Sequence, residues 1–133
     1  MRGLFFPLSN VVFFTQRYDP AQVKRAPEPS AATDPLNGVF GNWEAVENSA
    51  LILSDAADLL MTPGRKCSNG REMPIANPEW IQFVKQLREA GVSTRKAAQT
   101  KNMETMIEAS ATLNDSCANC HNRFRNRVAT RCQ

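Results

Sequence analysis

Four cysteines and a single histidine hold most of the reactive chemistry in this chain: Cys67, Cys117, Cys120, Cys132 and His121. Two of the cysteines stand three apart and the histidine follows at once, as Cys117-Ala118-Asn119-Cys120-His121. This C-x-x-C-H spacing is the attachment signature of a c-type haem. Thiols so spaced can each add to one of the two vinyl groups of the ring, and the adjacent imidazole then ligates the iron from its proximal side. Axial ligation, hydrogen bonding and burial would set the potential of that iron. Two other readings use the same residues. A redox dithiol requires a preceding strand in a βαβ unit, and nothing upstream has strand patterning. A zinc site would draw on Cys67, Cys117, Cys120 and Cys132 or His121. The placement of the only histidine directly after the second cysteine favours haem over both.

Cys67 and Cys132 are then left as a pair. Haem c is attached outside the reducing cytosol, where disulfides also persist. A Cys67–Cys132 disulfide is therefore expected, with two separate thiols as the alternative. The lone histidine excludes multi-histidine metal centres and multihaem schemes. It also leaves no Ser/His/Asp arrangement, and no paired carboxylates can be argued. No enzymatic activity is expected.

The elements that must carry these residues read as helices. The chain has 133 residues, of which 42% are hydrophobic and 22% charged. That suits one domain, residues 1–133, folded around its own core. The first helix is the least regular: Leu4, Phe5, Leu8, Val11, Val12 and Phe14 fit one, with Pro7 kinking it or marking its start. Residues 19–38 contain Pro20, Pro27, Pro29, Pro35 and Asn37-Gly38, and form a long, partly extended connection. The second helix starts near Asn42 and carries Trp43, Val46, Ala50, Leu53, Ala57 and Leu60 on one stripe, until Thr62-Pro63-Gly64 stops it. Residues 63–77 form a loop. The third opens with Asn77-Pro78-Glu79, an N-cap followed by proline at the first helical position. Trp80, Phe83, Val84 and Leu87 follow, and Gly91 either ends this helix or sits inside it. The last helix runs from about Asn102. Met103, Met106, Ser110, Leu113, Cys117, Cys120, Phe124 and Val128 recur at three and four, which turns both motif cysteines to the interior.

Taken along an up-down path, these segments make an all-α, antiparallel four-helix bundle. In that topology the 63–77 loop lies at the end where the last helix finishes, which brings Cys67 near Cys132. An apolar run after Met1-Arg2 has a superficial likeness to a secretory leader, but Gln16 to Glu28 is too long and charged for a cleavage region. The first helix is therefore read as mature structure, and covalent haem implies a leader removed ahead of Met1. The expected location is periplasmic or otherwise exported.

With these features the chain resembles the cytochrome c prime family, the class II c-type cytochromes. The likeness is most specific over Cys117-Ala118-Asn119-Cys120-His121-Asn122-Arg123-Phe124-Arg125 and looser over Trp80 to Ala98 and Trp43 to Arg65. Asn48-Ser49-Ala50 and Leu59-Leu60-Met61-Thr62-Pro63-Gly64-Arg65 look like a subgroup of small monohaem cytochromes. The likeness covers residues 40–128; residues 1–39 match only in outline. It implies a four-helix bundle with one covalent haem c on the last helix. It also implies two alternatives at the sixth iron position. A methionine from the first helix gives an electron carrier, whereas an apolar side chain leaves a five-coordinate iron that binds NO or CO. Met1 is the candidate distal ligand, with Phe5 or Leu8 covering that face otherwise. Met61 and Met73 rank below Met1, while Met103 and Met106 read as core filler.

Phe124 is expected to pack on the haem and Arg125 to pair with a propionate. Arg123, Arg127 and Arg131 recur every four residues, either as a docking stripe for an acidic redox partner or as a solvated helix face. The net charge of +3 would fall further with two propionates, so nucleic-acid binding is not expected. A homodimer, or a place in a larger redox complex reached through the apolar first helix, stays open, because the outer surfaces of the first two helices carry no decisive stripe. The expected function is an exported monohaem cytochrome passing single electrons between redox partners.

Overall fold

Helix α1 (Phe5–Phe14), α2 (Asn42–Ala56), α3 (Pro78–Thr100) and α4 (Met103–Phe124) make up the framework of a computed structural model. It describes residues 3–28, 30 and 39–132. Short 3-10 turns lie at Pro20–Gln22, Ala57–Met61 and Val128–Thr130. Among the described residues there is no β-strand, only an isolated antiparallel bridge between Lys66 and Glu72. The protein is all-helical.

Pro7 sits inside the first turn of α1, where a missing N–H leaves no intrahelical bond unmade. It does not start this helix, which begins two residues earlier. Phe5, Leu8, Val11 and Val12 are buried, whereas Phe14 is exposed. Helix α2 begins after Gly41, whose positive φ of 64° and missing side chain let the Arg25 backbone approach closely. Its α-helical part ends at Ala56 and tightens into the 3-10 turn that follows. Two carbonyls of that turn find other donors: the Arg65 guanidinium reaches Leu59 O at 3.1 Å and the Trp80 indole reaches Leu60 O at 3.0 Å.

The expected N-cap of α3 is present, and α4, which starts where expected, has one as well. Asn77 Oδ1 accepts from the Glu79 and Trp80 amides, and Asn102 Oδ1 from the Thr105 amide. Gly91 lies inside α3, buried against α2. Contacts between α3 and α4 pair opposite ends of the two helices. Thr100 meets Thr105 at the joint, Thr94 Oγ1 donates to Ala109 O at 3.4 Å, and Glu79 pairs with Arg123 at 2.7 Å. The two therefore run in opposite directions. Contacts of α2 and the 3-10 turn that follows it with α3 show the same pattern, from Glu47 with Arg95 and Gln99 to Asp58 with Arg88. One core cluster joins all four helices through Val12, Leu53, Ala98, Met106 and Leu113. Helix α1 packs mainly on α2 and only lightly on α4.

Helix α4 stops at Phe124 rather than continuing through Val128, which is 75% exposed. The following residues fold back over its end. The Thr130 hydroxyl donates to Arg123 O and the Cys132 amide to Phe124 O, taking carbonyls that a continuing helix would have used. The 63–77 loop holds this tail from the other side. Asn69 Nδ2 donates to Arg131 O and Arg71 Nη1 to Ala129 O, both at 2.9 Å. Cys67 and Cys132 pair at disulfide distance, with Cα atoms 5.0 Å apart.

Candidate functional site

Cys117, Cys120 and His121 occupy the last two turns of α4 and are half-buried. Both thiols are free and pack against the core cluster. The expected inward turn of both cysteines is thus partial. Ser110, Cys117 and His121 lie seven and four residues apart and share one stripe of the helix. Ser110 is where α4 touches α1: its hydroxyl reaches Val12 O at 3.4 Å and accepts from Gln16 Nε2 at 3.0 Å. The motif therefore lies along the α1-facing flank of α4. A polar groove of about 290 Å³, lined by Ser116, Asn119 and residues of α3, lies on the other flank.

Local electrostatics favour the uncharged form of all three groups. Burial pushes the Cys117 thiol up, and burial followed by the charge of Cys117 pushes Cys120 up to about 11. Burial, and then the Arg125 guanidinium, lower the His121 pKa. A neutral imidazole is the form that ligates a metal. Two free thiols three apart and a neutral imidazole fit the donor set of a covalent haem. The zinc alternative finds less: the Cys67–Cys132 pair takes two of its ligands, and no metal-holding group of three such side chains occurs among the described residues.

Phe124 is 3% exposed and meets Trp80 edge-on at 5.1 Å between ring centroids and Phe83 at 6.1 Å. Its ring is a wall of the protein core below the motif. Arg125 is exposed at the end of α4, where its Nε donates to Asn126 Oδ1 at 3.3 Å. Phe5 is buried on α1. Met1 lies outside the described residues. Met61 and Met73 are half-buried against the core, Met106 is fully buried and Met103 partly so.

The expected stripe of Arg123, Arg127 and Arg131 is not a helix face. A period of four needs a continuous helix, and α4 ends before two of the three. Arg123 instead pairs with Glu79 and lies 5.8 Å from the Phe124 ring centroid. Sequence reasoning also missed the clamp formed by Asn69, Arg71 and Thr130. One signal was present: Asn69-Gly70, with Gly70 at φ 80°, turns the Lys66–Glu72 hairpin from which Arg71 reaches the tail.

In comparisons with known proteins the chain matches no family model, no curated protein and no solved structure.

Proposed function

We propose that this chain is an exported monohaem c-type cytochrome of the cytochrome c prime type, built as an antiparallel four-helix bundle, that carries single electrons between redox partners. One observation carries the reading. The four cysteines separate into a distant pair, Cys67 and Cys132, and two free thiols that stand with His121 on one helix end. The opposed directions of α2, α3 and α4 agree with the bundle. The paired cysteines agree with an oxidising compartment. No described helix is long and apolar enough to cross a membrane.

In this reading Cys117 and Cys120 hold haem c by thioether bonds, and His121 is the proximal ligand. When bound, the haem supplies a one-electron iron couple. The chain's part is to orient His121, exclude water and set the dielectric around the group. The aromatic contacts of Phe124 with Trp80 and Phe83 hold the helix end that carries the imidazole. An up-down bundle sets α1 opposite to α4 and so brings its first turns level with His121.

A second reading is a five-coordinate haem protein that binds NO or CO. The burial of Phe5 and Leu8 on α1 favours it, because both are apolar and neither can ligate iron. The spectrum of the reduced holoprotein separates the two. Low-spin bands unchanged by CO support the electron carrier; a high-spin spectrum that shifts promptly with CO supports gas binding. A native protein without haem bands contradicts both.

A further inference from the structure

The Cys67–Cys132 pairing gathers charge as well as chain. The loop segment brings Arg65, Lys66 and Arg71; the end of α4 and the tail bring Arg123, Arg125, Arg127 and Arg131. Together these are seven of the chain's 16 lysines and arginines. Asn69 and Arg71 bind the tail backbone, and Arg131 Nε donates to Arg125 O at 3.2 Å, so the two segments form one surface. Lys66 is paired with Glu72 and Arg123 with Glu79. Among the described residues, the other five face no carboxylate within ion-pair distance. Arg65, Arg71, Arg125 and Arg127 are exposed and Arg131 is half-buried.

We infer that this two-segment basic face is the docking surface for an acidic redox protein. The inference rests on the cytochrome reading above. Three features lead to it. The cations are concentrated on one end of a chain whose net charge is only +3. Among the described residues most of them face no carboxylate within ion-pair distance, so their field extends into solvent. Arg125 lies one helical turn beyond His121, so a partner seated here would stand next to the haem-bearing end of α4. An acidic protein fits better than a lipid surface, because among the described residues of the two segments the one exposed large apolar side chain is Val128. The clamp is part of the surface: without it the loop arginines and the tail arginines separate.

The test is stopped-flow reduction of the oxidised holoprotein by a reduced acidic flavodoxin, at increasing ionic strength. A neutral quinol is the control reductant. The flavodoxin rate should fall about ten-fold between low and physiological salt, while the quinol rate stays constant. Combining Arg65→Glu with Arg127→Glu, one change from each segment and neither in the clamp, should lower the low-salt flavodoxin rate about ten-fold and flatten its salt dependence. The quinol rate and the haem spectrum should not change. Arg65→Gln with Arg127→Gln should give an intermediate rate. A flavodoxin rate indifferent to salt or to charge reversal overturns the inference. So does salt-sensitive capture by phosphatidylglycerol vesicles with no effect on the flavodoxin rate, which would assign the face to lipid. A holoprotein with no haem spectrum would instead defeat the underlying reading, and does so before any rate is measured.

Discussion

The Trp80 ring meets the Phe124 ring edge-on, with centroids 5.1 Å apart. This contact ties the first turn of α3 to the last turn of α4, three residues beyond His121. Edge-to-face pairs add to the stabilisation that burial of the rings already provides. Phe124→Ala should cost about 3–5 kcal/mol, the usual range for removing a buried phenyl group. Urea unfolding followed by tryptophan fluorescence measures it. Phe124→Leu should lose less, and a Phe124→Ala variant as stable as the parent would mean that the ring carries no packing.

Gly91 and Ser54 hold α2 and α3 at close range. A Cβ on Gly91 would lie 2.9 Å from both the Cβ and the backbone nitrogen of Ser54. In an open helix, glycine to alanine is stabilising. Here the sign should reverse: Gly91→Ala forces the helices apart and should destabilise by about 1–3 kcal/mol. Thermal unfolding of the two proteins side by side tests the sign.

The Cys67–Cys132 pair spans 65 residues of sequence. On the chain-entropy model a closure of that length contributes about 4 kcal/mol. Cys132→Ser should lower stability by an amount of that order and free the tail from the loop. Alkylation under denaturing, non-reducing conditions should label neither residue in the parent protein, and Cys67 in the variant. Labelling of Cys67 in the parent would refute the pairing.

Buried thiols give the haem-free chain a dependence on pH. The Cys120 pKa rises from an ordinary 9.0 to about 11 in the folded state, and Cys117 shifts in the same direction. The unfolded chain therefore releases these protons first as pH rises. The stability contributed is fully present below pH 9.0 and is lost towards about pH 11. The urea midpoint of haem-free protein should fall across this window. In Cys120→Ser the fall should be smaller; an equal slope would assign it to other groups.

Much of this arrangement was legible in the sequence, for reasons that differ between elements. The starts of α3 and α4 were readable because Asn77-Pro78 and Asn102 are local signals, satisfied by backbone amides two or three residues away. The placing of Cys117, Cys120 and His121 together on one helix was readable because it depends on spacing within about one helical turn. The end of α4 was not, because it is set by residues far apart in sequence. Val128 continues the apolar period, so the pattern extends the helix. The Thr130 hydroxyl, the Cys132 amide and the loop residues Asn69 and Arg71 override it. Arg123, Arg127 and Arg131 failed as a stripe for the same reason. Gly91 was ambiguous because only its distance from Ser54, on another helix, explains a glycine there.

The most direct test of the proposed function is whether haem stays with the polypeptide after denaturation. The protein is produced in a host that attaches haem c outside the cytosol, denatured, extracted with acidified organic solvent, and its haem absorbance read on the chain. The parent protein should keep its haem absorbance, and the Cys117→Ala, Cys120→Ala double variant should lose it. A folded parent chain that is colourless, or that gives up all its haem to the solvent, would contradict the assignment of Cys117, Cys120 and His121.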